Sequence, residues 1–374
     1  MSAEKVNLGA AGELAIRSLI ERAPLASSLA EAFKKEGFRL ALVGGPVRDA
    51  ILGRLGNDLD FTTDAHPHQT KKILKSWADN TWDTGILFGT VAGKRGDTTV
   101  EVTTYRTEKY EEDSRNPDVE FGDTIEGDLS RRDFTVNSMA LELTGSKPEF
   151  IDPFNGLGDL AERILRTPAS ARQSFTDDPL RMMRGARFAS QLGFEIEPKT
   201  FEAMTDMAGR IEIISAERVQ VEITKLLLGK HPRKGLEALV DSGLAALVLP
   251  ELPALKLETD EHHHHKDVYE HTLRVDEQAI GYEKDYGLEG DFVLRFAALL
   301  HDIGKTREFT YGAEFGISDE GRLLGHLAIG AEIDTSTFMR ALISGTLKIP
   351  DLVFSVGGGE TIGVDAATRL RQYQ

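Results

Sequence analysis

Apolar positions recur near helical spacing over residues 10–36, which predicts an N-terminal helix. Phe38 to Val43 is a compact apolar run entering Gly44-Gly45, so it reads as a strand ending in a tight turn. Pro46 suits the first position of a helix, and Val47 to Leu55 continues it. Asp58 to Thr62 alternates and predicts a short strand; residues 67–78 predict a helix ending near Trp77. Gly89 to Ala92 and Thr98 to Tyr105, joined by Lys94-Arg95-Gly96-Asp97, predict a hairpin. After about Asp152 strand patterns stop and helices follow to about residue 250. Pro250, Pro253 and Glu258-Thr259-Asp260-Glu261 read as a linker, and a further helical region holds His301-Asp302. Residues 341–374 are Gly-rich and weakly patterned, and no internal repeat is visible.

A chain of 374 residues is too long for one simple core and predicts two or three domains. Apolar (40%) and charged (28%) fractions are those of a folded protein. The absence of cysteine excludes disulfides and thiolate metal sites, so any metal must sit on carboxylates or imidazoles. The N-terminus has no basic segment leading into an apolar core, and no uncharged apolar run reaches about 18 residues. The expectation is therefore a cytoplasmic protein with no membrane partner. A net charge of −17 weighs against nucleic acid as a partner, but charge is near balance over residues 161–241, and local patches decide such contacts.

The chemistry begins at Asp58 and Asp60. On a strand, residues two apart share a face, so both carboxylates point the same way while Leu59 and Phe61 turn to the core. Adjacent carboxylates repel, and a divalent cation such as Mg²⁺ relieves the conflict. Glu101, between Val100 and Val102, adds a third carboxylate on the outward side of the hairpin. Three carboxylates on neighbouring strands suit a two-metal phosphoryl transfer. Gly44 and Gly45 let backbone N–H groups approach a triphosphate, and Arg48 adds positive charge in the following helix. Gly-Gly or Asp-x-Asp alone is usually a turn or a solvated loop; the ordered set points to catalysis.

The string Leu42-Val43-Gly44-Gly45-Pro46-Val47-Arg48-Asp49, followed by Asp58-Leu59-Asp60, resembles the class II tRNA nucleotidyltransferases (CCA-adding enzymes) and the related bacterial poly(A) polymerases. Further segments match in order: Arg131 to Asn137, Asp152 to Gly156 with Asp159-Leu160, Asp177 to Arg184, and Ser215 to Arg218. The match covers roughly residues 35–230, and the wider chain resembles actinobacterial members with a C-terminal HD domain. The arginines Arg131 and Arg132 can fork onto phosphate or ribose oxygens, and Asp133 or Asn137 can bond a ribose hydroxyl. Asp178 and Arg181, three apart, are expected on neighbouring positions of one helix. The resemblance implies that they read the edge of cytosine or adenine without a template, with Arg184 and Arg187 continuing toward the phosphates. Asp177 stands where many relatives have Glu.

His301-Asp302-Ile303-Gly304-Lys305, with His271 upstream, resembles an HD phosphohydrolase motif able to hold a second divalent metal. The further Asp ligand has no evident counterpart, the later histidines reduce to His326, and His262 to His265 read as a solvated run. The expected fold class is α+β: a polymerase-β-like nucleotidyltransferase head with a small mixed sheet over 1–150, an all-helical neck and body for base selection and RNA binding over 151–257, an incomplete HD-type helical domain over 258–340, and an unassigned tail, 341–374. The implied activity is metal-dependent addition of C and A from CTP and ATP to the 3′ end of tRNA, releasing pyrophosphate. Alternatives are a poly(A) polymerase or partial CCA-adding enzyme, an HD-type phosphohydrolase with an RNA-binding head, and a degraded, non-functional form.

Overall fold

The computed structural model describes residues 24–83, 85–109, 118–122, 124–256, 268–303, 309–311 and 315–317, and shows Glu13 and Arg17 as helical. The readings that fall on 258–261, His262 to His265, Gly304, Lys305, His326 and 341–374 lie outside the described residues. The chain divides into two compact units: residues 1–178 with 195–200, and residues 179–194 with 201–374.

The first unit opens with α1 (Pro24–Lys35), β1 (Leu40–Val43), α2 (Gly45–Ile51), β2 (Asp58–Thr63) and α3 (Pro67–Trp77). Then come β3 (Asn80–Trp82), a 3-10 turn at Ile86–Phe88, β4 (Thr90–Arg95) and β5 (Thr98–Thr104). The strands β6 (Arg106–Lys109) and β7 (Asp118–Phe121) pair with each other, and α4 (Ile125–Ser130) follows. A 3-10 turn at Thr135–Asn137 precedes β8 (Ala140–Glu142), β9 (Glu149–Ile151), α5 (Gly156–Glu162), β10 (Ile164–Leu165) and α6 (Ala171–Asp177). The main sheet has seven strands in the order β3-β4-β5-β2-β1-β8-β9. Only β2 and β5 run parallel; the other neighbours are antiparallel.

Alternation explains the sheet. Leu59, Phe61, Val91, Val100 and Val102 are at most 1% exposed, while Asp58, Asp60 and Glu101 between them are exposed. Each such burial is worth about 1.5–3 kcal/mol. Helix α1 packs on β1, and α3 on β4 and β5. Ala41, Val43 and Ala140 instead pack with Tyr105, Ile125 and Leu129, which seats α4 beside β1 and β8.

Several expectations shift. The sheet is larger than the small one expected, because the three-residue strands β3, β8 and β9 are too short to show a period. The first strand starts at Leu40, since Gly37 (φ +86°) closes α1 and Phe38 N–H returns to the Phe33 carbonyl. Helix α2 stops at Ile51, short of Leu55, before Gly53 at φ +69°. The region expected to be all-helical contains a two-residue parallel ladder between β10 and β11 (Glu195–Ile196). This ladder returns 195–200 to the first unit.

The remaining helices are α7 (Leu180–Leu192), α8 (Pro198–Met207), α9 (Ala216–Leu227), α10 (Pro232–Asp241), α11 (Leu244–Val248), α12 (Glu251–Ala254), α13 (Val268–Tyr286) and α14 (Phe292–Leu300). A short hairpin, β12 (Phe309–Tyr311) with β13 (Phe315–Ile317), follows. In the second unit α7 packs between α9 and α10. A side chain at Gly235 would meet the Ala186 carbonyl oxygen at 2.7 Å, so glycine permits that approach. From α14, Arg295 donates to the Leu227 and Gly229 carbonyls at 2.6 and 2.7 Å and to Glu283, tying α13 and α14 to the end of α9. Among the described residues no helix is long and apolar enough to cross a membrane.

Candidate functional site

The parallel register of β2 and β5 sets Asp58 opposite Thr99 and Asp60 opposite Glu101. Directly opposed residues share a face, so the three carboxylates stand together on the exposed side of the sheet. Desolvation by the surrounding protein pushes the Asp60 carboxyl up to about 6; Arg132 opposes the rise, and Glu101 and Asp58 add to it. A cluster with this excess of negative charge and hard oxygen donors fits divalent cations. The three are spread along two strands and are not drawn as tightly together as the histidine cluster described below.

The loop beside them is shaped by glycine. Gly44 adopts φ +74°, and a Cβ there would lie 2.8 Å from an Arg132 guanidinium nitrogen. Gly45 is the first residue of α2. Arg48 is 7% exposed and donates to the Asn137 side-chain oxygen and, through two nitrogens, to Asp49. Asn137 in turn donates to Asp133 at 3.0 Å, and Asp133 also accepts from the Phe134 N–H at 2.8 Å. Arg48, expected to face phosphate directly, thus has its guanidinium engaged in locking the glycine loop to the 131–137 segment.

Asp128 is the residue the sequence reading missed. It is 1% exposed and holds Arg131 at 3.0 Å and Arg132 at 3.2 Å, side chains that are themselves 17% and 21% exposed. Burial opposes its charge, but Arg132 and Arg131 outweigh it and keep the carboxyl below its ordinary value. An acid three and four residues before two arginines on a helix was the available signal. Asp152 accepts from the Gly156 and Leu157 N–H groups at 2.7 and 2.9 Å and so starts α5. Asp159 accepts from the Thr135 hydroxyl at 2.6 Å, joining this segment to the 131–137 segment. Gly156 is required there, because a Cβ would fall 2.2 Å from the Thr135 carbonyl oxygen.

Two expectations about the helix expected to read the base need correction. Asp178 is not on the helix that carries Arg181: it is extended (φ −144°, ψ 102°) after α6, and α7 begins at Leu180 beyond Pro179. Arg187 does not continue the stripe expected to run toward the phosphates. It is 7% exposed and pairs with Glu222 at 3.2 Å inside the second unit. Arg181 is 8% exposed, and Arg184 lies 5.6 Å from the Phe188 ring centre.

In the second unit His271 on α13 converges with His301 and Asp302 after α14. Their ligand atoms all lie within 4.8 Å of one another. The Nε2 atoms of His301 and His271 lie 3.2 and 3.5 Å from the same Asp302 oxygen, and His301 Nδ1 is 2.8 Å from the Ala298 carbonyl. A backbone contact to Nδ1 that leaves Nε2 aimed at a shared point is the usual support of a metal-ligating histidine.

Comparison with known proteins supplies an independent view. The Poly A polymerase head domain matches residues 40–166, the probable RNA and SrmB-binding site of polymerase A matches 193–255, and the HD domain matches 268–340. The chain is 46% identical over 223 residues to a CCA-adding enzyme of Streptococcus gordonii, covering 59% of this chain and 54% of that one. It is 47% identical over 211 residues to the Streptococcus thermophilus CCA-adding enzyme, covering 56% and 51%. Among solved structures, the Bacillus stearothermophilus CCA-adding enzyme in complex with CTP is 37% identical with a TM-score of 0.52, covering 59% of this chain and 52% of that one. A tRNA-processing enzyme (apo form I) is 22% identical with a TM-score of 0.60, covering 89% and 77%, a likeness of fold. The chain spans about half the length of the curated relatives it matches.

Proposed function

We propose that this chain is a member of the family of class II tRNA nucleotidyltransferases and bacterial poly(A) polymerases and carries out template-independent addition of C and A from CTP and ATP to the 3′ end of tRNA, with release of pyrophosphate; the head-domain match and the identity to CCA-adding enzymes support this reading. The observation that carries this reading is the register placing Asp60 opposite Glu101 on an open sheet face, beside the Gly44 turn. Asp58, Asp60 and Glu101 would hold two divalent cations, Mg²⁺ being the fit for hard carboxylate donors. When bound, these cations would promote ionisation of the RNA 3′-hydroxyl and neutralise charge on the triphosphate.

The chain's own residues do the rest. The 3′-hydroxyl oxygen attacks the α-phosphorus, and the bond to pyrophosphate breaks in line. Gly44 and Gly45 leave room for the phosphates, and Arg132, held by Asp128, offers guanidinium nitrogens beside Gly44. Arg48 and Asn137 keep Asp133 in place for a ribose hydroxyl. Asp178, Arg181 and Arg184 read the base, and residues 193–255 contribute to RNA binding. The work is cytoplasmic, where tRNA ends are maintained. In this reading the domains are a head over 1–150, a neck and body over 151–257 and an HD unit from 258. Substituting Asp60→Ala is expected to abolish incorporation while tRNA binding persists; turnover retained by D60A would sink the assignment. Elongation with ATP alone would favour the poly(A) polymerase alternative.

The histidine cluster supports a second activity on the same chain. His271, His301 and Asp302 would hold one divalent metal able to activate water for phosphoester hydrolysis. Elemental analysis should find one such metal per chain, lost in His301→Ala while nucleotide addition continues. Equal metal content in H301A would refute the site.

A further inference from the structure

The open face of the head sheet extends beyond the carboxylates. Asp60 is paired with Glu101, Glu101 with Ala92, and Ala92 with Trp82. Opposed residues share a face, so one row crosses four strands from Asp60 to Trp82 on the edge strand β3. Burial agrees: beneath the row Leu59, Val91 and Val100 are at most 1% exposed, whereas Trp82 is 43% exposed. At the usual strand spacing the Trp82 position stands roughly 10 Å from Glu101, with only the small Ala92 between, and roughly 14 Å from Asp60. The neighbouring row runs Asn80, Lys94, Thr99, Asp58, which sets an exposed lysine beside the indole.

Direction narrows the occupant. The glycine turn leaves β1, on the far side of β2, so the triphosphate approaches the carboxylates from that side. The β5-β4-β3 side is left for the strand that carries the attacking hydroxyl. An exposed aromatic flanked by a lysine and by the small side chains of Ala92, Asn80 and Thr99 suits a nucleobase and its phosphate.

We propose that Trp82 is a stacking platform for the RNA 3′ strand, taking a base roughly three positions upstream of the reacting hydroxyl, with Lys94 on a flanking phosphate. This rests on the nucleotidyltransferase reading above and adds an RNA subsite to it. The exposed Leu87 and Phe88 follow β3 on the 3-10 turn but stand outside the ladder.

The test compares the full chain with W82A, W82F and L87A. Binding of a single-stranded oligonucleotide with a tRNA-like 3′ end is measured by fluorescence anisotropy without nucleotide, and KM values are measured separately for RNA and for CTP. W82A should raise the RNA Kd and RNA KM about tenfold and leave the CTP KM unaltered. W82F should restore most of the loss, and L87A should stay within about twofold of the parent. RNA binding by W82A within about twofold of the parent overturns the platform while leaving nucleotide addition intact. An equal loss in L87A overturns it in favour of a general apolar surface. Absence of nucleotide addition by the parent protein would defeat the functional reading instead, and the binding measurement still reads Trp82. Should W82A fail to fold, RNA-induced quenching of the parent's indole emission, lost in W82F, reads the same contact; quenching unchanged in W82F overturns it.

Discussion

At the scale of single residues, the head depends on how few groups position many. Asp128 fixes two arginines, so Asp128→Asn should raise the KM for nucleotide about tenfold with little change in kcat, and cost about 2–3 kcal/mol of stability. Its folded pKa lies below the ordinary 3.8, so its contribution is present above that value and lost as pH falls through the folded pKa. Acid titration of stability should therefore flatten in D128N; an unchanged nucleotide KM would contradict the positioning role. Gly44→Ala should impair nucleotide binding, because the new Cβ meets both a left-handed backbone and the Arg132 guanidinium. That Asp58, Asp60 and Glu101 share a face was legible from the period of two. Arg48 was legible as present but not as engaged, because a sequence does not show that Asn137, 89 positions away, folds back to meet it.

At the scale of elements, long periodic helices and the β4–β5 hairpin were readable, whereas β3, β8, β9 and the β10–β11 ladder were not. Two or three residues hold no measurable period, and β8 and β10 take partners far along the chain, in β1 and β11. The misplacement of Asp178 has a local cause, since Pro179 separates it from the helix bearing Arg181. In α13, Asp276 is 1% exposed, and neither carboxylate oxygen has a hydrogen-bond partner among the described residues. Burial pushes it up to about 7; Arg295 opposes the rise, and Glu277 and Glu283 add to it. A folded pKa above the unfolded one means that native stability falls as pH rises from about 4 to about 7. Asp276→Asn should match the parent near pH 4 and melt higher above pH 7. A lower melting temperature for D276N at alkaline pH would show that the carboxylate is charged and paired.

At the scale of the whole molecule, a net charge of −17 coexists with a proposed RNA substrate. Binding must then rest on local cations such as Arg131, Arg132 and Lys94, and should weaken steeply with added salt. The central claim is tested most directly by incubating the protein with tRNA lacking its 3′ end, in the presence of CTP and ATP, and sequencing the product. The expected result is C, C and A appended in that order, with pyrophosphate released and no product from D60A. Bound tRNA left unextended by the unaltered protein would contradict it.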